Sequence, residues 1–250
     1  MKIYIAIPSA TGTLPTSMAS FLMQLAKTTK HDIYPVFINR TGIDQARNKF
    51  IEDFLTTDYD YLLFLDDDNP PEDINFLDKL IQANKPVITW LIPSRTPIAD
   101  WTHFLCIFTE RIKSTWEHEY KQYVNIPEWP EIFEVANCGM WCVLIEREVV
   151  KLISEEFDRP CEARMVWYYY DEDEKQWIRD ERCDYDKLKD WMKRFKRYMS
   201  EDLLFFERAK EFGVKIYAHK WVRCSHIGNP EIIEVWKYII SNNYKLWLVL

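Results

Sequence analysis

Between Tyr61 and Asp68 an apolar run ends abruptly in charge: Tyr61-Leu62-Leu63-Phe64-Leu65, then Asp66-Asp67-Asp68, then Asn69-Pro70-Pro71. The apolar stretch reads as a buried strand. The two prolines stop it from continuing as sheet. Three carboxylates are therefore crowded at the carboxyl end of a central strand, which is where open α/β sheets bind ligands. Like charges this close repel unless a cation joins them. Oxygen donors suit Mg2+ or Mn2+, and Mg2+ commonly shares its shell with substrate phosphates. The strand end points to a metal–phosphate site.

The alternation around it fixes a fold class. Lys2–Ile7, Ile33–Ile38, Tyr61–Leu65 and Pro86–Leu91 read as strands. Between them, helices are predicted over Thr16–Thr28, Ile43–Leu55 and Pro71–Ala83, the last opened by its prolines. Strand–helix alternation implies a mostly parallel Rossmann-like sheet flanked by helices, with right-handed crossovers. Further on, His103–Glu110 and Glu131–Glu134 read as strands or hairpin arms, and Met140–Ile145 and Lys215–Val222 as strands. Helices are predicted at Glu148–Glu156 and Leu203–Phe212, the latter N-capped by Ser200 and stopped by Gly213.

Residues 158–199 read as an insertion, with a hairpin from Met165 to Ile178 and a helix over Tyr185–Tyr198. Its tryptophans and tyrosines suit either a sugar platform or an oligomerisation arm. A last helix is predicted over Glu231–Asn242, with an apolar tail, Tyr244–Leu250. That tail fits packing on the domain, contact with another copy of the chain, or peripheral membrane contact. The chain thus reads as one domain over 1–250: a first half at 1–100, a second half at 101–230 that contains the insertion, and a C-terminal helix at 231–250.

Bulk properties exclude several functions. A net charge of −8 argues against a nucleic-acid surface. The five glycines, Gly12, Gly42, Gly139, Gly213 and Gly228, are too dispersed for a dinucleotide fingerprint or a Walker loop. No apolar run reaches spanning length and no signal peptide is legible, so a cytoplasmic location is expected, with membrane-peripheral association through the tail as the variant. Six cysteines would then be reduced thiols. Cys138, Cys142, Cys224 and His226 could be drawn as a zinc site, but the spacing does not match paired knuckles, and buried thiols are the better reading.

The order of the weaker motifs carries a resemblance. After the acidic strand end come Asn137-Cys138-Gly139-Met140-Trp141, then Ser200-Glu201-Asp202 at a helix start, then a strand leading to His226. Gly42-Ile43-Asp44-Gln45-Ala46-Arg47-Asn48 precedes them. This set resembles nucleotide-sugar glycosyltransferases of the GT-A fold, in the family-2-like group, from Lys2 to Gly228 without the insertion, and the resemblance implies a nucleotide-binding half at 1–100 and an acceptor-binding half at 101–230.

The resemblance implies roles. Asp66-Asp67-Asp68 matches the Asp-x-Asp motif, with Asp68 as ligand to Mn2+ or Mg2+ and Asp66 a second ligand or a neighbour of the ribose. His226 matches the C-terminal metal ligand. Pro8 and Ser9 match the start of the nucleotide pocket. Asn137, Cys138, Gly139, Trp141 and Glu201 match the sugar and acceptor side, and Asp202 matches the general base of an inverting hexosyl transfer from a nucleotide-diphosphate sugar to a glycan or other hydroxyl. Arg47 and Arg95 lie near strand ends, where they could touch the diphosphate or form surface salt bridges. The alternatives to glycosyl transfer are a sugar nucleotidyltransferase and a non-catalytic nucleotide- or sugar-binding protein. The loop Ser9–Pro15 has one glycine and no Lys or Arg, which disfavours the nucleotidyltransferase.

Overall fold

The computed structural model describes residues 1–39, 41–97, 103–113, 118–122, 130–171, 176–180 and 194–224. In chain order the first elements are β1 (Lys2–Ser9), α1 (Thr16–Thr28), β2 (Asp32–Asn39), α2 (Ile43–Leu55), β3 (Tyr61–Leu65), α3 (Phe76–Gln82) and β4 (Val87–Leu91). Seven short strands follow with one helix among them: β5 (Pro93–Pro97), β6 (His103–Leu105), β7 (Ile107–Lys113), β8 (His118–Gln122), β9 (Ile132–Val135), β10 (Asn137–Cys138), β11 (Cys142–Glu146) and α4 (Arg147–Glu156). The chain continues through β12 (Arg164–Asp171), β13 (Gln176–Asp180), β14 (Arg194–Met199), α5 (Glu201–Glu211) and β15 (Ile216–Arg223).

The main sheet has seven strands in the order β2-β1-β3-β11-β4-β15-β9. β1 runs parallel to β2 and β3, and β15 runs parallel to β4. β11 is antiparallel to both β3 and β4, and β9 is antiparallel to β15. The sheet is therefore mixed but mostly parallel, in the α/β Rossmann-like class the alternation predicts.

Strand alternation sorts the core into two layers. Tyr4, Ala6, Leu62, Phe64, Val143 and Ile145 face one side, where α2, α4 and α5 contribute Phe50, Phe54, Val150, Ile153, Phe205 and Phe206. Ile3, Ile5, Leu63, Leu65, Ile88 and Trp90 face the other, against Met18, Leu22 and Leu25 of α1 and Phe76, Leu77 and Leu80 of α3. Both faces are covered, which is why β3 and β4 are apolar at almost every position.

Phe64 is fully buried and meets Phe50 edge-on, with ring centroids 6.4 Å apart. Phe64→Ala is expected to cost about 3–5 kcal/mol through lost burial and a residual cavity. For a chain of this size that lowers the thermal midpoint by roughly 10 °C. Calorimetric or urea unfolding measures it; a shift under about 2 °C would mean that the inner face of β3 is not core.

The structure corrects three sequence expectations. The prolines do not open a helix over Pro71–Ala83. Pro71 bridges Cys224, and the Glu72 N–H donates to the Arg223 carbonyl at 3.0 Å, so the chain here is held against β15, then turns at Ile74 and Asn75, and α3 begins only at Phe76. The helix predicted over Tyr185–Tyr198 is not made at its end. Arg194–Met199 is β14, paired antiparallel with β12, because a neighbouring strand offers its backbone ladder partners a lone helix would not need. Residues 181–193 lie outside the described residues. The predicted strand His103–Glu110 is interrupted at Cys106, dividing it into β6 and β7. The hairpin of the insertion is present as β12 and β13. The C-terminal helix and tail lie outside the described residues. Among the described residues no helix is long and apolar enough to cross a membrane.

Candidate functional site

The carboxyl ends of β1, β2 and β3 open onto a cleft of about 220 Å3 lined by Pro8, Ser9 and Ala10, by Ile38, Thr41, Ile43 and Ala46, and by Asp66, Asp67 and Asp68. Each group of residues has a local reason to be there. Pro8 and Ser9 end β1, and the Ser9 hydroxyl donates to the Thr13 carbonyl at 3.2 Å, folding the following loop back over the strand end. Ile43 and Ala46 belong to the first turn of α2, whose N-cap is Gly42. The three aspartates follow β3, where the Asp66 N–H donates to the Trp141 carbonyl at 2.9 Å and the Asn69 N–H to the Asp66 carbonyl at 3.1 Å. The apolar wall from β1, β2 and α2 faces the acidic wall from β3. Among the described residues no Lys or Arg lines it.

The Asn69 side chain steadies this turn from within. It is 1% exposed, and its Nδ2 donates to Asp68 Oδ1 at 2.6 Å. Its own Oδ1 is buried and has no hydrogen-bond partner among the described residues. All three aspartates are half-buried and line the cleft. Among the described residues no three or more His, Cys, Asp or Glu side chains form a ready-made metal cage. The donor chemistry nevertheless fits a hard divalent cation, since Mg2+ typically takes one or two carboxylates and completes its shell with water and phosphate. His226 lies outside the described residues. The described chain reaches Cys224, whose bridge to Pro71 brings the end of β15 beside the acidic turn.

Arg47 is the main surprise. It is 1% exposed and absent from the cleft lining, so it is not a surface salt bridge. Its Nη1 donates to Glu201 Oε1, and its Nη2 stands 3.8 Å from Asp66 Oδ1. Burial disfavours its charge, but Asp66, Asp202 and Glu201 outweigh that and hold the guanidinium above its ordinary pKa. The meeting follows from the sheet: Leu62 and Phe64 point toward α2 and α5, and Asp66 continues that parity. One buried cation thus links the acidic end of β3 with the first turn of α5.

That first turn carries the predicted base. Asp202 is 6% exposed, and its Oδ1 accepts from the Ser200 hydroxyl and, at 2.8 Å, from the Leu203 N–H. Ser200 does occupy the N-cap position, but its hydroxyl donates to Asp202 rather than accepting from the helix backbone. Glu201 is held above its ordinary pKa, first by burial, with Arg47 pulling it down and Asp202 pushing it up.

The remaining predicted residues are distributed around this core. Asn137 is fully buried; its Nδ2 donates to the Leu203 carbonyl at 3.2 Å and to Glu207 Oε1 at 3.3 Å, bracing β10 against α5. Cys138 is fully buried, and its thiol pKa is pushed well up by burial, with Asp202 adding to the shift. Gly139 sits over the Trp141 ring, where a Cβ would come within 3.0 Å of it. Arg95 is on β5, and its side chain lies outside what is described. Cys142 and Cys224 lie with sulfurs 3.5 Å apart, and Cys106, Cys138, Cys142, Cys161 and Cys224 are all buried free thiols. Two residues have roles that the sequence reading did not assign. Asn48 binds the backbone of Cys161 on both sides, at 2.9 and 2.5 Å, and Arg208 donates to the Arg159 and Pro160 carbonyls at 2.7 and 2.9 Å. Together they pin the segment that leads into the inserted sheet against the Arg47 cluster.

No protein-family model matches the chain, and neither does any curated protein. Solved structures do. The crystal structure of A197 from STIV superposes with a TM-score of 0.54 at 19% identity, covering 92% of this chain and 87% of that one. At that identity the likeness shows a shared fold. A CMP:2-keto-3-deoxy-manno-octonic acid synthetase complexed with CTP gives a TM-score of 0.43 at 10% identity, over 98% of this chain and 100% of that one. A Bacillus anthracis protein assigned as a glucose-1-phosphate thymidylyltransferase, in complex with a sucrose, gives 0.42 at 12% identity, over 98% and 97%. Superpositions this loose carry no argument about chemistry. The fold and site together define an α/β Rossmann-like protein with an acidic cleft at its strand ends.

Proposed function

We propose that this chain is a metal-dependent glycosyltransferase that moves a sugar from a nucleotide-diphosphate sugar to an acceptor hydroxyl. The observation that supports it most is the pairing of two carboxylate groups through Arg47: one lines the strand-end cleft, the other starts α5. A displacement at a sugar carbon needs both a charged leaving group held on one side and a proton acceptor on the other.

The cleft, at about 220 Å3, is smaller than the roughly 300–1,000 Å3 of a typical whole-ligand site, so it suits one portion of the donor. Pro8, Ile38, Ile43 and Ala46 offer an apolar surface for the nucleoside, and Asp66 an acceptor for a ribose hydroxyl. Asp68, with Asp66 and His226, would hold Mn2+ or Mg2+, which when bound neutralises the diphosphate as it departs. In the transfer, the acceptor oxygen forms a bond to the anomeric carbon. The bond from that carbon to the diphosphate oxygen breaks, and its electron pair leaves with the nucleoside diphosphate. The acceptor proton goes to Asp202, giving inversion in a single displacement.

Thermal-shift screening against UDP-, GDP-, CMP- and dTDP-sugars with Mn2+, followed by product analysis, tests the reading. The expected product is a nucleoside diphosphate, made only with a divalent cation present. Pyrophosphate as the product would replace the proposal with nucleotidyl transfer. Binding without turnover would leave a nucleotide-sugar-binding protein.

A further inference from the structure

Asn69 follows the three aspartates and precedes two prolines, and its backbone is tied on both sides. Its N–H donates to the Asp66 carbonyl at 3.1 Å, and its carbonyl accepts from the Cys142 thiol at 3.8 Å. Two residues on, Pro71 bridges Cys224 at the end of β15. The side chain is 1% exposed and its Nδ2 donates to Asp68 Oδ1 at 2.6 Å. An ionised carboxylate only accepts, so this bond also sets which way the amide points. The amide oxygen is then buried with no hydrogen-bond partner among the described residues. A buried acceptor in that state costs stability, which an apolar side chain would avoid. A local rule broken in this way is expected at a functional position rather than at one that serves folding alone.

We propose that Asn69 is a positioning residue that makes the acidic strand end select a small octahedral cation, Mg2+ or Mn2+, over Ca2+. The inference rests on the metal-dependent reading above and adds to it how the site discriminates between divalent ions. Asn69 is not among the residues that line the cleft, so it acts through Asp68, which is. Ca2+ takes more oxygens in a flexible arrangement and often binds a carboxylate through both of them, whereas Mg2+ demands a near-ideal octahedron. A carboxylate with Oδ1 engaged by an amide on a tied backbone is disfavoured as a two-oxygen ligand and restricted in rotation. Both effects count against the larger ion.

Calorimetric titration of the full chain with MnCl2, alone and in competition with CaCl2, tests it at fixed pH and salt. Asn69→Ala lets the Asp68 carboxylate turn, and it should shift the ratio of the two dissociation constants toward Ca2+ by about tenfold. Circular dichroism and melting curves establish that the variant folds. If N69A does not fold, Asn69→Leu, closer in shape and equally unable to donate, reads the same ratio. A turn that was merely loosened would weaken both ions alike and leave the ratio where it was. An unchanged ratio, or one that moves toward Mn2+, therefore overturns the inference. A wild type that binds neither ion overturns the metal-dependent reading itself, which is a different result.

Discussion

Asp68→Ala is expected to remove both sugar transfer and donor hydrolysis, by about a thousandfold or more. Asp68 is half-buried on the acidic wall of the cleft, one oxygen held by Asn69 at 2.6 Å. Fixing one oxygen aims the carboxylate along the acidic wall. Charge clamping of a departing diphosphate is worth several kcal/mol, and each 1.4 kcal/mol is a factor of ten in rate. The stability cost should be small, about 1 kcal/mol, because the substitution removes one hydrogen bond and also one of three crowded like charges. Loss of activity with an unchanged melting point is thus the diagnostic pair. Asp67→Ala is the control and should lose far less. Full activity of D68A, or of the wild type in EDTA, would sink the metal assignment.

Much of the fold was readable because local and tertiary preferences agree. The spans of α1, α2 and β3 coincide with their apolar periodicities. Gly213 closes α5 with a positive φ of 75°, as a helix-stopping glycine does. What was not readable is long-range. Nothing in Cys142–Glu146 states that this strand enters antiparallel between β3 and β4; an all-apolar strand reveals that it is central, not which way it runs. The prolines after the acidic run were misread for the same reason. Their local preference suits a helix start, but the bridge from Pro71 to Cys224, 153 positions along the chain, ties Pro71 to the end of β15 instead.

The site shows the same division. Its acidic wall was legible, since Asp66–Asp68 end a strand that could only be buried. The role of Arg47 was not, although a signal existed. Arg47 shares the spacing of Phe50, Ile51 and Phe54, at i, i+3, i+4 and i+7, so it falls on the buried stripe of α2 rather than on its wet face. A cation on an apolar stripe needs a buried counter-charge, and Glu201 supplies it from α5. Which carboxylate would do so depends on where α5 packs, and that is fixed by contacts such as Asn137 to Leu203, which no sequence pattern announces.

Asp202→Asn should abolish transfer while leaving donor binding within about threefold of wild type. The substitution is nearly isosteric, and the Asn oxygen can accept the same two bonds that Asp202 Oδ1 takes from Ser200 and Leu203. The start of α5 therefore keeps its geometry, and the Glu201–Arg47 contact with it. The other oxygen, Oδ2, carries neither of those bonds. Replacing it with an amide nitrogen puts a donor where a proton acceptor is needed. General-base catalysis contributes about 10²–10⁴ in rate, so kcat for transfer should fall by that factor. Donor affinity should hold, because Asp202 is not among the residues that line the cleft. Measuring kcat beside the donor Kd separates the two. A transfer rate within tenfold of wild type would remove Asp202 as the base. Lost donor binding would instead assign it to the nucleotide side of the site.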